Sequence, residues 1–131
     1  MDVKSAHTRF FVSDIGACAE FYRDVLKFEP VTIQVEKGYA ELIVADVRVA
    51  LFRQQEMSEI LRTSDKAIGK DIQDRVGLIL NVQNLDDIYH ELRQADVEFA
   101  EPPTQNNEFS LKVAYFRDPA GNLIGLFESM M

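Results

Sequence analysis

The chain has 131 residues, 47% of them hydrophobic, and 14 basic against 22 acidic side chains give a formal net charge of −8. That length suits one compact domain, and so much apolar material excludes a disordered chain. With no cluster of Lys and Arg, no apolar run near the ~20 residues of a membrane span and a single cysteine, Cys18, the composition argues against nucleic acid, a membrane and an internal disulfide. Met1 to Phe10 lacks the apolar stretch of a secretory leader, so a cytoplasmic location is expected.

In chain order, Thr8, Phe10 and Val12 alternate with His7, Arg9 and Phe11, which predicts a first strand. Asp14 suits a helix N-cap, and Ile15, Cys18, Phe21, Tyr22, Val25 and Leu26 recur at steps of three and four toward Phe28. Cys18 on that stripe is expected to be a packed thiol. The period then switches to two. Val31, Ile33 and Val35 alternate with Thr32, Gln34 and Glu36, and Lys37-Gly38 makes a turn. A second strand follows over Tyr39 to Val44, a tight turn at Ala45-Asp46, and a third strand over Val47 to Arg53. Glu56 to Asp74 is polar and mixed, with a short helix expected around Met57 to Arg62 and a loop around Gly69.

The pattern then repeats. Val82 lies 70 residues after Val12 and Phe99 lies 71 after Phe28, so two stretches stay in step to within one residue. Asn84 is the expected N-cap of a second helix, with Asp86 and Asp87 in its first turn and a stripe of Leu85, Ile88, Leu92 and Ala95. His90 falls on the polar face of that helix. Next come a strand over Val97 to Ala100, a Pro-Pro-Thr-Gln-Asn-Asn loop, a strand over Phe109 to Arg117, a turn at Asp118-Pro119-Ala120-Gly121-Asn122 and a strand over Leu123 to Phe127. Each half reads βαβββ. The modules span about 5–53 and 75–128 of a single domain, joined by a 54–74 linker.

Each sheet would give one face to its helix and leave the other to curl around a cavity. Side-chain parity separates the two faces. The aliphatic sets suit packing under helices; the mixed sets, with His7, Arg9, Phe11, Glu41, Arg48, Phe52, Tyr115 and Phe127, suit a ligand-lined pocket. Guanidinium groups rarely sit inside unpaired. Arg9 and Arg48 either pair with Glu41 or receive an anionic ligand group. No Ser-His-Asp arrangement, phosphate loop or nucleotide fingerprint appears in the sequence.

Three segments carry a family resemblance: His7-Thr8-Arg9-Phe10-Phe11-Val12-Ser13-Asp14-Ile15, Phe21-Tyr22-Arg23-Asp24-Val25-Leu26-Lys27-Phe28, and Phe116-Arg117-Asp118-Pro119-Ala120-Gly121-Asn122-Leu123-Ile124. With the duplication they resemble the vicinal oxygen chelate superfamily, which includes glyoxalase I, fosfomycin resistance proteins, extradiol dioxygenases and bleomycin resistance proteins. The resemblance implies an α+β fold, two βαβββ modules forming a curved mixed sheet around a cavity, and a homodimer. It also implies, in the metal-dependent members, four ligands on four strands. His7 matches the first, while the other three fall on Ala50, Gly77 and Gly125, which offer no donor. The glycines there would also leave room for a larger ligand. His7 is then either a hydrogen-bonded structural residue or part of the pocket.

The expectation is therefore a small-molecule-binding protein nearest the metal-lacking bleomycin-resistance-like branch, which sequesters a planar, aromatic or anionic ligand with no cofactor and no metal. The alternative is a metal-dependent or metal-independent lyase, isomerase or dioxygenase of the same superfamily, with His7 or Glu41 as a general base in the metal-free case.

Overall fold

A computed structural model describes residues 1–68 and 73–131. The chain divides into two compact units, Met1–Ile72 and Gln73–Met131. The first holds β1 (Thr8–Val12), α1 (Ile15–Glu20), β2 (Glu29–Gln34), β3 (Tyr39–Val44), β4 (Val47–Arg53) and α2 (Gln54–Leu61). The second holds β5 (Gly77–Asn81), α3 (Leu85–Gln94), β6 (Phe99–Asn106), β7 (Leu111–Arg117) and β8 (Leu123–Ser129). The sheets have the same order, β1-β4-β3-β2 and β5-β8-β7-β6, with only the β1–β4 and β5–β8 pairs parallel. The duplication read from spacing is thus a duplication of topology. The fold is α+β, built of two βαβββ modules. No helix among the described residues is long and apolar enough to cross a membrane.

In the first unit Asp14 caps α1 as expected, its Oδ1 accepting the Ala17 N–H at 3.0 Å. The helix widens into a π turn over Phe21–Val25, closed by the Leu26 N–H to the Phe21 carbonyl at 3.0 Å. Ile15, Cys18, Ala19 and Tyr22 face down, and Phe10, Val12, Ala40, Leu42, Val49 and Leu51 are buried on the sheet. Cys18 is buried with them. Covering each such aliphatic side chain contributes about 1.5–3 kcal/mol. In the second unit α3 packs on β6, β7 and β8, with Leu85 and Leu92 buried and Ala114, Phe116, Ile124 and Leu126 forming the sheet's half of the core.

Several expected boundaries move, each for a physical reason. β6 runs straight through Pro102 and Pro103, which the sequence reading placed in a loop. It is an edge strand whose register shifts at Glu101 and Thr104, so prolines without an N–H leave no ladder bond unmade. β2 begins at Glu29, and Val35–Lys37 forms a 3-10 turn instead of continuing the strand, ended by Gly38 at φ 69°. α2 starts at Gln54, held by a 2.6 Å ion pair from Arg53 to Glu56 and a 3.0 Å bond from Gln55 to Glu59. The expected loop around Gly69 lies outside the described residues.

Asn84 stands at the N-cap of α3, but its side chain makes no capping bond. It adopts a left-handed conformation at φ 60°. The capping acceptor is Glu128 of β8, which receives the Asn84 N–H at 2.7 Å and the Leu85 N–H at 3.4 Å, placing a carboxylate at the positive end of the helix dipole.

Candidate functional site

The open face of the first sheet is set by strand register. The parallel β1–β4 ladder puts Arg9 opposite Ala50 and Phe11 opposite Phe52. The antiparallel β3–β4 ladder puts Tyr39 opposite Phe52, Glu41 opposite Ala50 and Ile43 opposite Arg48. Directly opposed residues share a face, so Arg9, Ala50 and Glu41 form one row across three strands, and Phe11, Phe52 and Tyr39 form the next. Six of the residues expected to bind ligand belong to this unit: His7, Arg9, Phe11, Glu41, Arg48 and Phe52.

Their partners differ. The Arg9 guanidinium lies over the Phe52 ring, 5.1 Å from its centroid, and 5.9 Å from that of Tyr39. Both rings present a negative face to the cation, an attraction of about 0.5–1 kcal/mol at an exposed site. Arg48 approaches Glu41 at 3.5 Å, with the arginine side chain 55% exposed and the glutamate 14%. Of the two pairings open at the outset, Glu41 therefore takes Arg48, and Arg9 has no acid against it among the described residues. An exposed pair at this separation is worth at most about 1 kcal/mol. His7 is exposed one residue before β1, and its side chain makes no hydrogen bond or ion pair among the described residues, so the structural hydrogen bond considered for it is not there. Phe11 is 40% exposed, a ring presented to solvent beside Phe52.

Tyr39 belongs to this arrangement and was missed from the sequence. The signal was available, because Tyr39 is two residues from Glu41 and so has the same strand parity. Chemically, the face offers an aromatic floor, the Arg9 cation with no acid against it among the described residues, and the Glu41 carboxylate with Arg48 beside it.

The other two expected residues, Tyr115 and Phe127, lie on the open face of the second sheet. Their rings meet edge to face at 5.9 Å. Gly125 pairs with both Ile79 and Tyr115 across its two ladders. A Cβ added to it would lie 2.8 Å from Ile79 Cδ1, 2.9 Å from Tyr115 Cε1 and 3.2 Å from Phe127 Cε1. The room expected at this glycine is therefore not available to a ligand; three side chains already fill it. At Gly77 an added Cβ would meet the Leu123 carbonyl oxygen at 3.3 Å.

These facts also test the metal site that the resemblance implies. Ala50, Gly77 and Gly125 carry no donor, and the direction in which a side chain would leave Gly125 is occupied by carbon. Among the described residues, no group of three or more His, Cys, Asp and Glu is placed to hold an ion. The residues present do not fit a divalent metal with several converging ligands.

Residues 4–126 match the Glyoxalase/Bleomycin resistance protein/Dioxygenase superfamily. The chain is similar to the uncharacterized protein YraH of Bacillus subtilis (strain 168), 28% identical over 128 residues that cover 98% of this chain and 100% of that one. Among solved structures it is similar to a member of the glyoxalase/bleomycin resistance protein/dioxygenase superfamily from Sphaerobacter thermophilus, with a TM-score of 0.72, 23% identity and coverage of 97% and 98% of the two chains. It is also similar to a lactoylglutathione lyase from Agrobacterium tumefaciens, with a TM-score of 0.68, 19% identity and coverage of 99% and 97%. At these identities the structural likenesses show the fold alone.

Proposed function

The chain belongs to the Glyoxalase/Bleomycin resistance protein/Dioxygenase superfamily, and from that premise we propose that it binds and sequesters a small molecule, planar, aromatic or anionic, without a metal and without chemistry. The observation that carries this reading is Arg9, a cation laid over two aromatic rings on an open sheet face with no acid against it among the described residues. Glu41 is the carboxylate in the same row as Arg9, and Arg48 sits beside it, so its charge is partly answered and its use as a base would cost that contact. The family's three remaining ligand positions supply no donor, which supports a metal-free role.

A thermal-shift screen over planar acids, aromatic metabolites and antibiotics tests the proposal. A ligand present at 100 times its Kd adds about 2.7 kcal/mol of stability. A screen of that breadth in which nothing raises the melting temperature would count against the binding role. Elemental analysis is its companion. Protein purified without chelator is expected to carry less than about 0.2 equivalents of Zn, Ni, Mn or Fe, and His7→Ala to leave that content unchanged. Stoichiometric metal lost in the His7 variant would promote the enzymatic alternative.

The proposed working unit is a homodimer in the cytoplasm. Val31 and Ile79 are exposed apolar side chains on the edge strands β2 and β5, where a second copy would cover them and leave Phe11 to the ligand face. Light scattering at tens of micromolar is expected to give about twice the 15.0 kDa chain mass. A species at the chain mass would refute the dimer.

A further inference from the structure

The setting of Arg9 narrows the ligand chemistry, in an inference that rests on the small-molecule reading above. We propose that Arg9 is a clamp for a planar monocarboxylate, with Phe52 and Tyr39 as the residues that position it.

Arg9 starts on β1 opposite Ala50 of β4. Because Ala50 has nothing beyond its Cβ, the arginine stem can cross it and bring the guanidinium to Phe52 of β4 and Tyr39 of β3. The two rings hold the cation by their quadrupoles and use up none of its capacity for oxygen acceptors. A guanidinium has five N–H donors in one plane, and a carboxylate matches two of them at once. The arrangement is thus ordered before ligand arrives, which reduces the side-chain entropy lost on binding. Three arginines are already spent on acids, Arg23 on Asp24 at 2.7 Å, Arg53 on Glu56 at 2.6 Å and Arg117 on Asp74 at 2.6 Å, and Arg93, which also lies over a ring, gives a donor to the Tyr89 hydroxyl at 3.3 Å.

Two neighbours shape the preference further. Phe11 lies in the same row as Phe52 and is exposed, so an aromatic ring attached to the carboxylate finds a ring to pack on. Glu41 lies on the same face two residues from Tyr39, and Arg48 answers it only at 3.5 Å. Its remaining negative field disfavours a second charge on the ligand, which selects a monoanion over a phosphate dianion.

Calorimetry with naphthoate, naphthamide and naphthyl phosphate tests the clamp. Naphthoate is expected to bind about ten-fold more tightly than the amide and more tightly than the phosphate. Arg9→Gln, at an exposed position where the fold should survive, is expected to erase the acid-over-amide preference. Tyr39→Leu should reduce the preference several-fold, while Tyr39→Phe, which keeps the ring, should retain it. Equal binding of acid and amide, or a preference that survives Arg9→Gln, overturns the clamp and leaves the small-molecule reading standing. Phosphate binding as tight as carboxylate overturns the carboxylate assignment. An unchanged preference in Tyr39→Leu overturns its positioning role, and failure of all three probes at millimolar concentration counts against both the clamp and the reading beneath it.

Discussion

Gly125→Ala is expected to destabilise the protein by about 1–3 kcal/mol, the usual cost of forcing an extra carbon into a packed region. The added methyl would stand 2.8 Å from Ile79 Cδ1 and 2.9 Å from Tyr115 Cε1, closer than carbon atoms approach without something moving. Both obstacles are side chains, so relief is possible, but only by leaving the places they hold. Tyr115 is tied edge to face with Phe127, and that contact would have to open. For a domain of this size each kcal/mol shifts the melting temperature by roughly 3–6 °C, and urea denaturation with an unchanged slope would confirm a native-state effect. Ile79→Ala should recover part of the loss when combined with Gly125→Ala, because it removes the nearest atom; such contacting pairs are expected to be non-additive. A neutral Gly125→Ala would mean that this region yields freely, and the packing argument would fall.

The same geometry bears on chemistry. A ligand at position 125, where the family resemblance puts one of the four, would need a donor side chain such as glutamate. Here it would put a charge among Ile79, Tyr115 and Phe127, at a cost above that of alanine. Regaining a donor there needs the three neighbours to change as well, and Ala50 and Gly77 would still contribute nothing. Building the family's four-ligand site here would thus take repacked side chains as well as new ligands.

How much of this was legible in the sequence depends on whether the deciding partner is near in the chain. Asp14 and its helix were readable because cap and stripe lie within a few residues of one another. The faces of the strands were readable because parity is a local property, and Arg9, Glu41, Phe52 and Phe127 all fall on the faces assigned to them. Partners were not. Parity brings Arg9, Arg48 and Glu41 to one face, but only side-chain reach decides that the glutamate goes to Arg48 and that Arg9 settles on two rings. The cap of α3 comes from Glu128, 44 residues from Asn84, and no local motif signals it. Prolines 102 and 103 read as a loop because a proline's tolerance depends on whether its strand is at an edge, which is a property of the sheet. Glycine misled most directly. In a sequence Gly125 is a missing side chain and looks like space, whereas in the fold that space belongs to its neighbours.

Asp118→Ala is expected to cost about 2–4 kcal/mol, the largest effect foreseen for a polar residue in the second unit. Asp118 is only 4% exposed. Its Oδ1 accepts the Ala120 N–H at 2.9 Å and the Asn122 N–H at 2.8 Å, and its Oδ2 accepts from Asn122 Nδ2 at 2.9 Å. Hydrogen bonds to a charged group are each worth about 1.5–3 kcal/mol, but three on one carboxylate do not add in full, and water can reach part of the opened turn. The turn is also held by the Asp118 N–H to the Asn122 carbonyl at 3.0 Å and by Arg117 donating to the Gly121 carbonyl at 2.9 Å, so the carboxylate shares the work. Pro119 has no N–H to offer, and Gly121 sits at φ 93°, a conformation that the aspartate's bonds and the 2.9 Å bond from the Gly121 N–H to the Asp118 carbonyl keep in place. This turn joins β7 to β8 and so sets the register that places Tyr115 opposite Gly125 and Val113 opposite Phe127. Loosening it should therefore reach the Tyr115–Phe127 contact and weaken the near-ultraviolet circular dichroism of those rings together with the stability. Asp118→Asn keeps the shape and one acceptor but sets an amide N–H against Asn122 Nδ2, so about half of the loss is expected if the amide oxygen takes the Oδ1 position. Urea denaturation of the two variants checks this order. A loss within about 0.5 kcal/mol for Asp118→Ala would show that the turn is held by its backbone alone.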